Sequence, residues 1–539
     1  MVACQFDRIA CCFAALMLAT TAWGEECAFR LGAQTHFGQG WPLSDLALAK
    51  EVAAAGLRDG LSWARTERRP GVFQVARRDR AFLDQATALG MGVTLVFASR
   101  NPLHDGGDPP YSPAGRRAFA DFVAAAVDQV GGEVRAIEIG NEANGASVTG
   151  PAAADRAGAY AALLTEVASA VRARHPEMPI LGGAAHSVPI GWFRDLGEAG
   201  ALAALDGIVI HPYRDTPEGI DREIARLREV IAEFGPPKPI HATEFGLETD
   251  DARASADYLV KMATLLAASG VADASWYALR DEEHYRGMGL YDRRGAEKPA
   301  ARAFGLVTRA LAAGCPVRLG GDPLAQVFRF GSDGPIVAWG AGQRLAVEGV
   351  VRRADGAGIA APERLDDRPI VIEGGTVEVG ATQVVGDTRY QFGVAPWSYF
   401  RRGLDGEETP LGWRDWHWTS YLGDPATPAL AVRDGGVTPG RSASVVERFT
   451  ATEGGTFRVD ARWSRPAGAA GDGVRLAIEK NGVVIWGADF AGAELALPDL
   501  PVDLAAGDRL DFVVAAGTTA EGDAIRRRLV IARRSEGPR

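Results

Sequence analysis

Between residues 28 and 312, eight short β-rich runs alternate with amphipathic helical stretches, and this rhythm constrains the fold more than any other feature of the chain. The runs are Phe29–Ala33, Leu57–Asp59, Val93–Phe97, Ala136–Ile139, Ile180–Gly182, Gly207–Ile210, Ile240–Thr243 and Ala274–Tyr277. Helical segments with recognisable ends lie between them. Ser44 is placed to cap a helix running to Ala55 with Gly56 as its stop, and Ser112-Pro113 opens another. Longer helical patterns cover Asp155–Arg174, Ile220–Phe234 and Asp250–Ala268. Eight such units in about 290 residues predict an α/β fold, the closed (β/α)8 TIM barrel. A doubly wound open sheet shares the alternation but calls for a Gly-rich phosphate turn after its first strand, and none is present.

After Ala312 the texture changes. Short strand-like runs, Gln326–Phe330, Ile336–Trp339, Leu345–Val351, Pro369–Ile372 and Thr376–Val379, predict a small β module over residues 313–385 packed on the barrel. From residue 386 to 539 the alternating runs and the Asp472-Gly473 and Asn481-Gly482 turn signals predict a separate β-sandwich. This region carries Trp397, Tyr399, Trp413, Trp416, Trp418 and Tyr421, either as sandwich core or as a carbohydrate-binding platform.

The N-terminal end predicts export. Arg8 precedes an apolar run from Ile9 to Trp23, and Ala22-Trp23-Gly24 is a small-x-small cleavage site, which makes residues 1–24 a signal peptide. No later stretch is long and apolar enough to span a bilayer. Cys27 and Cys315 are the cysteines left after cleavage, free either to pair as a disulfide or to stay as buried thiols. The net charge of −11 argues against a nucleic-acid partner. The expected location is periplasmic or secreted.

In a barrel, chemistry sits where strands run into loops at the C-terminal face. The fourth strand runs into Gly140-Asn141-Glu142-Ala143-Asn144 and the seventh into Thr243-Glu244-Phe245-Gly246. Glu142 and Glu244 therefore face each other across one mouth, and paired carboxylates are what glycoside hydrolysis requires. His36, ending the first strand, and Trp276, on the eighth, are candidate sugar contacts. His211 has no spaced ligand partners and reads as a mouth residue rather than a metal ligand. No metal and no organic cofactor is called for.

These residues carry a family likeness. Asn141-Glu142 after strand four and Glu244 after strand seven resemble the retaining glycoside hydrolases of clan A. Within it the chain is most similar to family 39 and its exopolysaccharide-cleaving relatives. Arg58 with Trp63, Glu67 with Gly71-Val72-Phe73, His211-Pro212-Tyr213, Trp276-Tyr277, and Gly289-Leu290-Tyr291-Asp292 leading to Lys298-Pro299-Ala300 match as well, over about residues 30 to 380. The resemblance implies Glu142 as general acid/base and Glu244 as nucleophile. It also implies that Arg58 and Tyr213 donate to Glu244, that Asn141 binds the sugar 2-hydroxyl, and that the substrate is a polysaccharide or oligosaccharide outside the cytoplasm. Physics supports that division if a drier setting keeps Glu142 protonated while donors hold Glu244 ionised. Three positions depart from the pattern: Gly140 replaces a bulky aromatic, Ala143 replaces Pro, and Gly60 replaces an acid. Two rivals are an inactive sugar-binding or export scaffold, and an endo-glucanase or arabinofuranosidase of a sister family in the clan.

Overall fold

The computed structural model describes residues 27–466 and 468–534, so the signal-peptide expectation for residues 1–24 lies outside the described residues. The first eight long strands close into a parallel barrel. They are β1 (Arg30–Gln34), β2 (Gly56–Ser62), β3 (Gly92–Ala98), β4 (Val134–Ile139), β5 (Ile180–His186), β6 (Gly207–His211), β7 (Ile240–Phe245) and β8 (Asp273–Trp276). Each pairs with its neighbours in sequence, and β1 closes onto β8 from Arg30↔Asp273 to Ala33↔Trp276. This is the TIM barrel that the strand–helix alternation predicts.

The helix Pro113–Val130 shows why the local sequence folds this way. Ser112 Oγ accepts the Gly115 N–H at 2.9 Å, Pro113 fills the first turn where no donor is needed, and Gly131 ends the helix. Phe119, Phe122, Val123, Ala126, Val127 and Val130 form the buried stripe. Burying a side chain such as Phe122 contributes about 1.5–3 kcal/mol. Asp155 and Asp251 cap the helices Arg156–Arg172 and Ala252–Ala268 in the same way. The first helix departs from expectation. It spans Leu46–Glu51 with no side-chain cap, Ala53 breaks it at φ 54°, and Gly56 begins β2 rather than ending the helix. Gly56 sits where strands crowd: a Cβ on the neighbouring Gly32 would lie 2.6 Å from the Gly56 carbonyl oxygen.

The β module is a six-stranded antiparallel sheet from Pro316–Arg318 to Ile370–Val379. Pro369–Ile372 and Thr376–Val379, expected as two strands, are one. The glycines between them mark a register shift opposite Gly349 instead of a turn, because a Cβ on Gly375 would strike the Glu348 carbonyl. Phe328, Phe330, Val337 and Trp339 join the barrel's own hydrophobic core. Cys27 and Cys315 form a disulfide with a Cα–Cα distance of 4.5 Å, tying the start of the barrel to the start of this module.

The C-terminal region is a sandwich of two antiparallel sheets over a core that includes Trp397, Phe449, Phe457, Trp463 and Phe512. Its first strand, Val384–Asp387, pairs with its last, Ile525–Arg533. Asn481-Gly482, both with positive φ, make the tight turn between Val474–Lys480 and Val483–Phe490. Asp472-Gly473 is not a hairpin turn; Asp472 instead accepts the N–H groups of Thr518 and Thr519. Nor does the sandwich stand apart from the barrel. Trp418 stacks on His186 with ring centroids 4.2 Å apart, and Gly191 N–H donates to the Trp416 carbonyl at 3.1 Å. Arg214 of the barrel pairs with Asp434 of the sandwich. The aromatic stretch is thus divided: Trp397 and Tyr399 are core, while Trp413, Trp416 and Trp418 are partly exposed. Among the described residues no helix is long and apolar enough to cross a membrane.

Candidate active site

The C-terminal ends of the barrel strands enclose a cleft of about 810 Å³ lined by Arg58, Asn141, Glu142, Tyr213, Glu244 and Tyr277, among others. Glu244, at the end of β7, is buried, and both its oxygens have donors. Arg58 Nη1 reaches Oε1 at 2.5 Å and the Tyr213 hydroxyl reaches Oε2 at 2.8 Å. Arg58 is fixed in turn: Nε and Nη2 grip Glu138 at 2.9 and 2.6 Å, and Nη1 donates to Gln34 at 2.7 Å. Burial pushes the Glu138 carboxyl up, but the Arg58 guanidinium beside it holds it down to about 2. Arg58 Nη2 also donates to Asn141 Oδ1 at 2.9 Å. That contact uses the amide oxygen and leaves the Asn141 amino group to donate elsewhere.

Glu142 follows β4 in a strained left-handed conformation, φ 48°. Its loop is held by three sets of hydrogen bonds. Ala143 N–H donates to the Ala184 carbonyl at 2.7 Å, and Gly145 N–H donates to the Glu142 carbonyl at 2.9 Å. Asn144 Nδ2 donates to the carbonyls of His186 and His417 at 3.1 and 2.8 Å, while its Oδ1 accepts His186 N–H at 2.9 Å. Two departures from the family pattern now have physical reasons. Ala143 supplies an N–H that proline lacks, and Gly140 has φ 83° with Tyr160 3.2 Å from where its Cβ would be.

His211, at the end of β6, lies between the two glutamates. Its Nδ1 is 3.2 Å from Glu142 Oε1 and 3.7 Å from Glu244 Oε2, and its Nε2 is 3.1 Å from Thr243 Oγ1. Burial opposes a charge on His211, yet the carboxylates of Glu244, Glu138 and Glu142 around it raise its pKa to about 9. Burial likewise pushes Glu142 up, but His211 outweighs it and holds the carboxyl below its ordinary value. Both shifts favour the proton of this pair on His211 over Glu142.

One oxygen each of Glu142 and Glu244 and a nitrogen of His211 lie within 4.8 Å of one another. A divalent cation there would face the Arg58 guanidinium, whose Nη2 is 3.5 Å from His211 Nε2. The donor set suits proton transfer better than metal binding.

Of the remaining candidates, His36 borders the cleft, with Nε2 2.8 Å from Glu282 Oε1. Trp276 does not reach it. Its ring is fully buried against Phe245 and Tyr258, and its Nε1 donates to the Met288 carbonyl. The next residue, Tyr277, lines the cleft and donates to Glu282 at 2.8 Å. Sequence reasoning named Tyr277 only within a matching motif and missed Glu282 and the sandwich residue Arg526, which lines the cleft. The acidic cluster Asp281-Glu282-Glu283 after β8 was the one available signal for Glu282.

No family model matches the sequence, and no curated protein is significantly similar to it. In fold the chain is similar to a family 39 glycoside hydrolase from the gut symbiont Bacteroides cellulosilyticus WH2. The TM-score is 0.56 at 19% identity, over 64% of this chain and 80% of that one. It is also similar to a family 39 β-xylosidase from Caulobacter crescentus, with a TM-score of 0.50 at 17% identity, over 66% of this chain and 97% of that one. At these identities the likeness is one of architecture: this chain shares the barrel fold of these two proteins.

Proposed function

We propose that the protein is a retaining glycoside hydrolase that cleaves a polysaccharide or oligosaccharide by double displacement. The observation carrying this reading is the approach of Glu142 and Glu244 to within 4.8 Å, oxygen to oxygen, across the barrel mouth. Retaining enzymes hold their carboxyls about 5–5.5 Å apart, whereas inverting ones leave about 6.5–9.5 Å for a water. Glu244, oriented by Arg58 and Tyr213, attacks the anomeric carbon. Glu142 protonates the departing oxygen, taking its proton from His211 Nδ1 across 3.2 Å. It then removes a proton from the water that releases the sugar, and His211 takes that proton back. The amino group of Asn141 donates to the sugar 2-hydroxyl, where the bond tightens as charge develops on the ring. The likeness to two family 39 folds supports the reading.

We also place the protein outside the cytoplasm, in the periplasm or secreted. The Cys27–Cys315 disulfide fits an oxidising compartment. Incubation with a panel of labelled polysaccharides, followed by NMR of the first product anomer, tests the reaction. Cleavage with retention is expected; cleavage with inversion, or sugar bound and never cut, would overturn the assignment.

A further inference from the structure

Beside the catalytic cleft, at the seam between barrel and sandwich, lies a second pocket of about 330 Å³. That volume is within the range of small-ligand sites, about 300–1,000 Å³. The two share a wall, since Tyr213, Arg214, Asp215 and Arg526 line both.

Most charges around the seam are matched. Arg214 pairs with Glu223 and Asp434, and Arg526 pairs with Asp215. Arg433 is the exception. Its guanidinium is half-buried, lies 5.0 Å from the centre of the Tyr421 ring and 5.8 Å from that of Trp416, and pairs with no carboxylate among the described residues. Ser420, buried in the same wall, has a hydroxyl with no protein partner. A half-desolvated guanidinium that has aromatic faces beside it but no carboxylate is a ready partner for an anionic ligand. Val188, Phe392 and Val437 give the pocket an apolar side suited to a sugar ring, and Thr419 adds a further hydroxyl.

We infer that this seam is a binding site for a carboxylate-bearing sugar unit of the substrate chain, with Arg433 receiving the carboxylate. The inference rests on the glycosidase reading and narrows its substrate class to acidic glycans. A uronate carboxylate can accept two parallel hydrogen bonds from a guanidinium, which a neutral hydroxymethyl group cannot.

Affinity electrophoresis of the full-length Glu142→Gln protein tests it. The gels contain alginate, polygalacturonate, hyaluronan or glucuronoxylan, each run beside its carboxyl-reduced, neutral form. At least one acidic polymer should retard the protein. Its reduced form should bind about tenfold more weakly, and adding Arg433→Gln should weaken binding to the acidic form to the same degree. Arg433→Lys should restore part of it, and an unchanged melting temperature in both Arg433 variants excludes misfolding. Three results would overturn the inference: no retardation by any acidic polymer, equal retardation by the reduced form, or retardation that Arg433→Gln leaves intact. Cleavage by the wild-type chain is scored separately. Binding through Arg433 without any cleavage would uphold the seam and overturn the hydrolase reading; cleavage without acidic binding would do the reverse.

Discussion

His211 Nδ1 lies 3.2 Å from Glu142 Oε1, so the proposed acid/base is coupled to a buried imidazole whose proton affinity is raised. The pair loses its proton as pH rises through about 9. We expect kcat/KM on unactivated substrates to fall about tenfold per pH unit above that point. In His211→Asn the falling limb should move toward acid by more than one unit, because Glu142 must then hold the proton alone. The same shift bears on stability. With the His211 pKa raised from 6.5 in the native state, its stabilisation is complete below pH 6.5 and is lost as pH rises through 9. Thermal melting from pH 6 to 10 should show this decline in the wild type and a flatter profile in His211→Asn.

Arg58 and Glu138 form a nearly solvent-free ion pair, with side chains 2% and 0% exposed. Arg58→Met should cost about 3–5 kcal/mol in stability, because Glu138 would keep an uncompensated buried charge. Arg58→Met with Glu138→Gln should recover much of that loss in denaturant unfolding. Activity should stay low in both, since Glu244 loses its orienting donor in each.

Asn144 ties the Glu142 loop to the sandwich backbone at His417. Asn144→Ala leaves buried backbone groups without partners, at a cost of about 1–3 kcal/mol. If it positions Glu142, kcat should drop on glycosides with poor leaving groups and much less on activated aryl glycosides. Equal loss on both would mean a purely structural role.

The eight barrel strands were readable from sequence because each is a short apolar run between helices with clear caps. Glu142 and Glu244 were readable because strand ends define the mouth. Trp276 was misplaced by one residue. Trp276 ends its strand packed against Tyr258 of the helical layer, and the chain then leaves the strand so that the next residue, Tyr277, lines the cleft. Arg526 was out of reach for another reason: it comes from a different domain, and no local pattern marks which part of a sandwich will meet a barrel mouth. The pairing of Glu142 with His211 was also hidden, because the two lie 69 positions apart in sequence.

The Cys27–Cys315 bond closes a loop with a sequence separation of 288. A Cys27→Ser, Cys315→Ser double variant should lose stability by about 2–4 kcal/mol, the usual range for a native disulfide. Differential scanning calorimetry of that variant against the untreated wild type checks it, and intact-mass analysis should find the wild-type bond oxidised.

The division of labour between the two glutamates is tested most directly by azide rescue on an activated aryl glycoside the wild type cleaves. Glu142→Ala should retain measurable turnover, because such a leaving group hardly needs protonation, and azide should accelerate it. The product should be a glycosyl azide with the substrate's own anomeric configuration. Glu244→Ala should be inactive, with azide giving, if anything, the inverted product. The reverse pattern would exchange the two roles, and full activity in both variants would contradict the account.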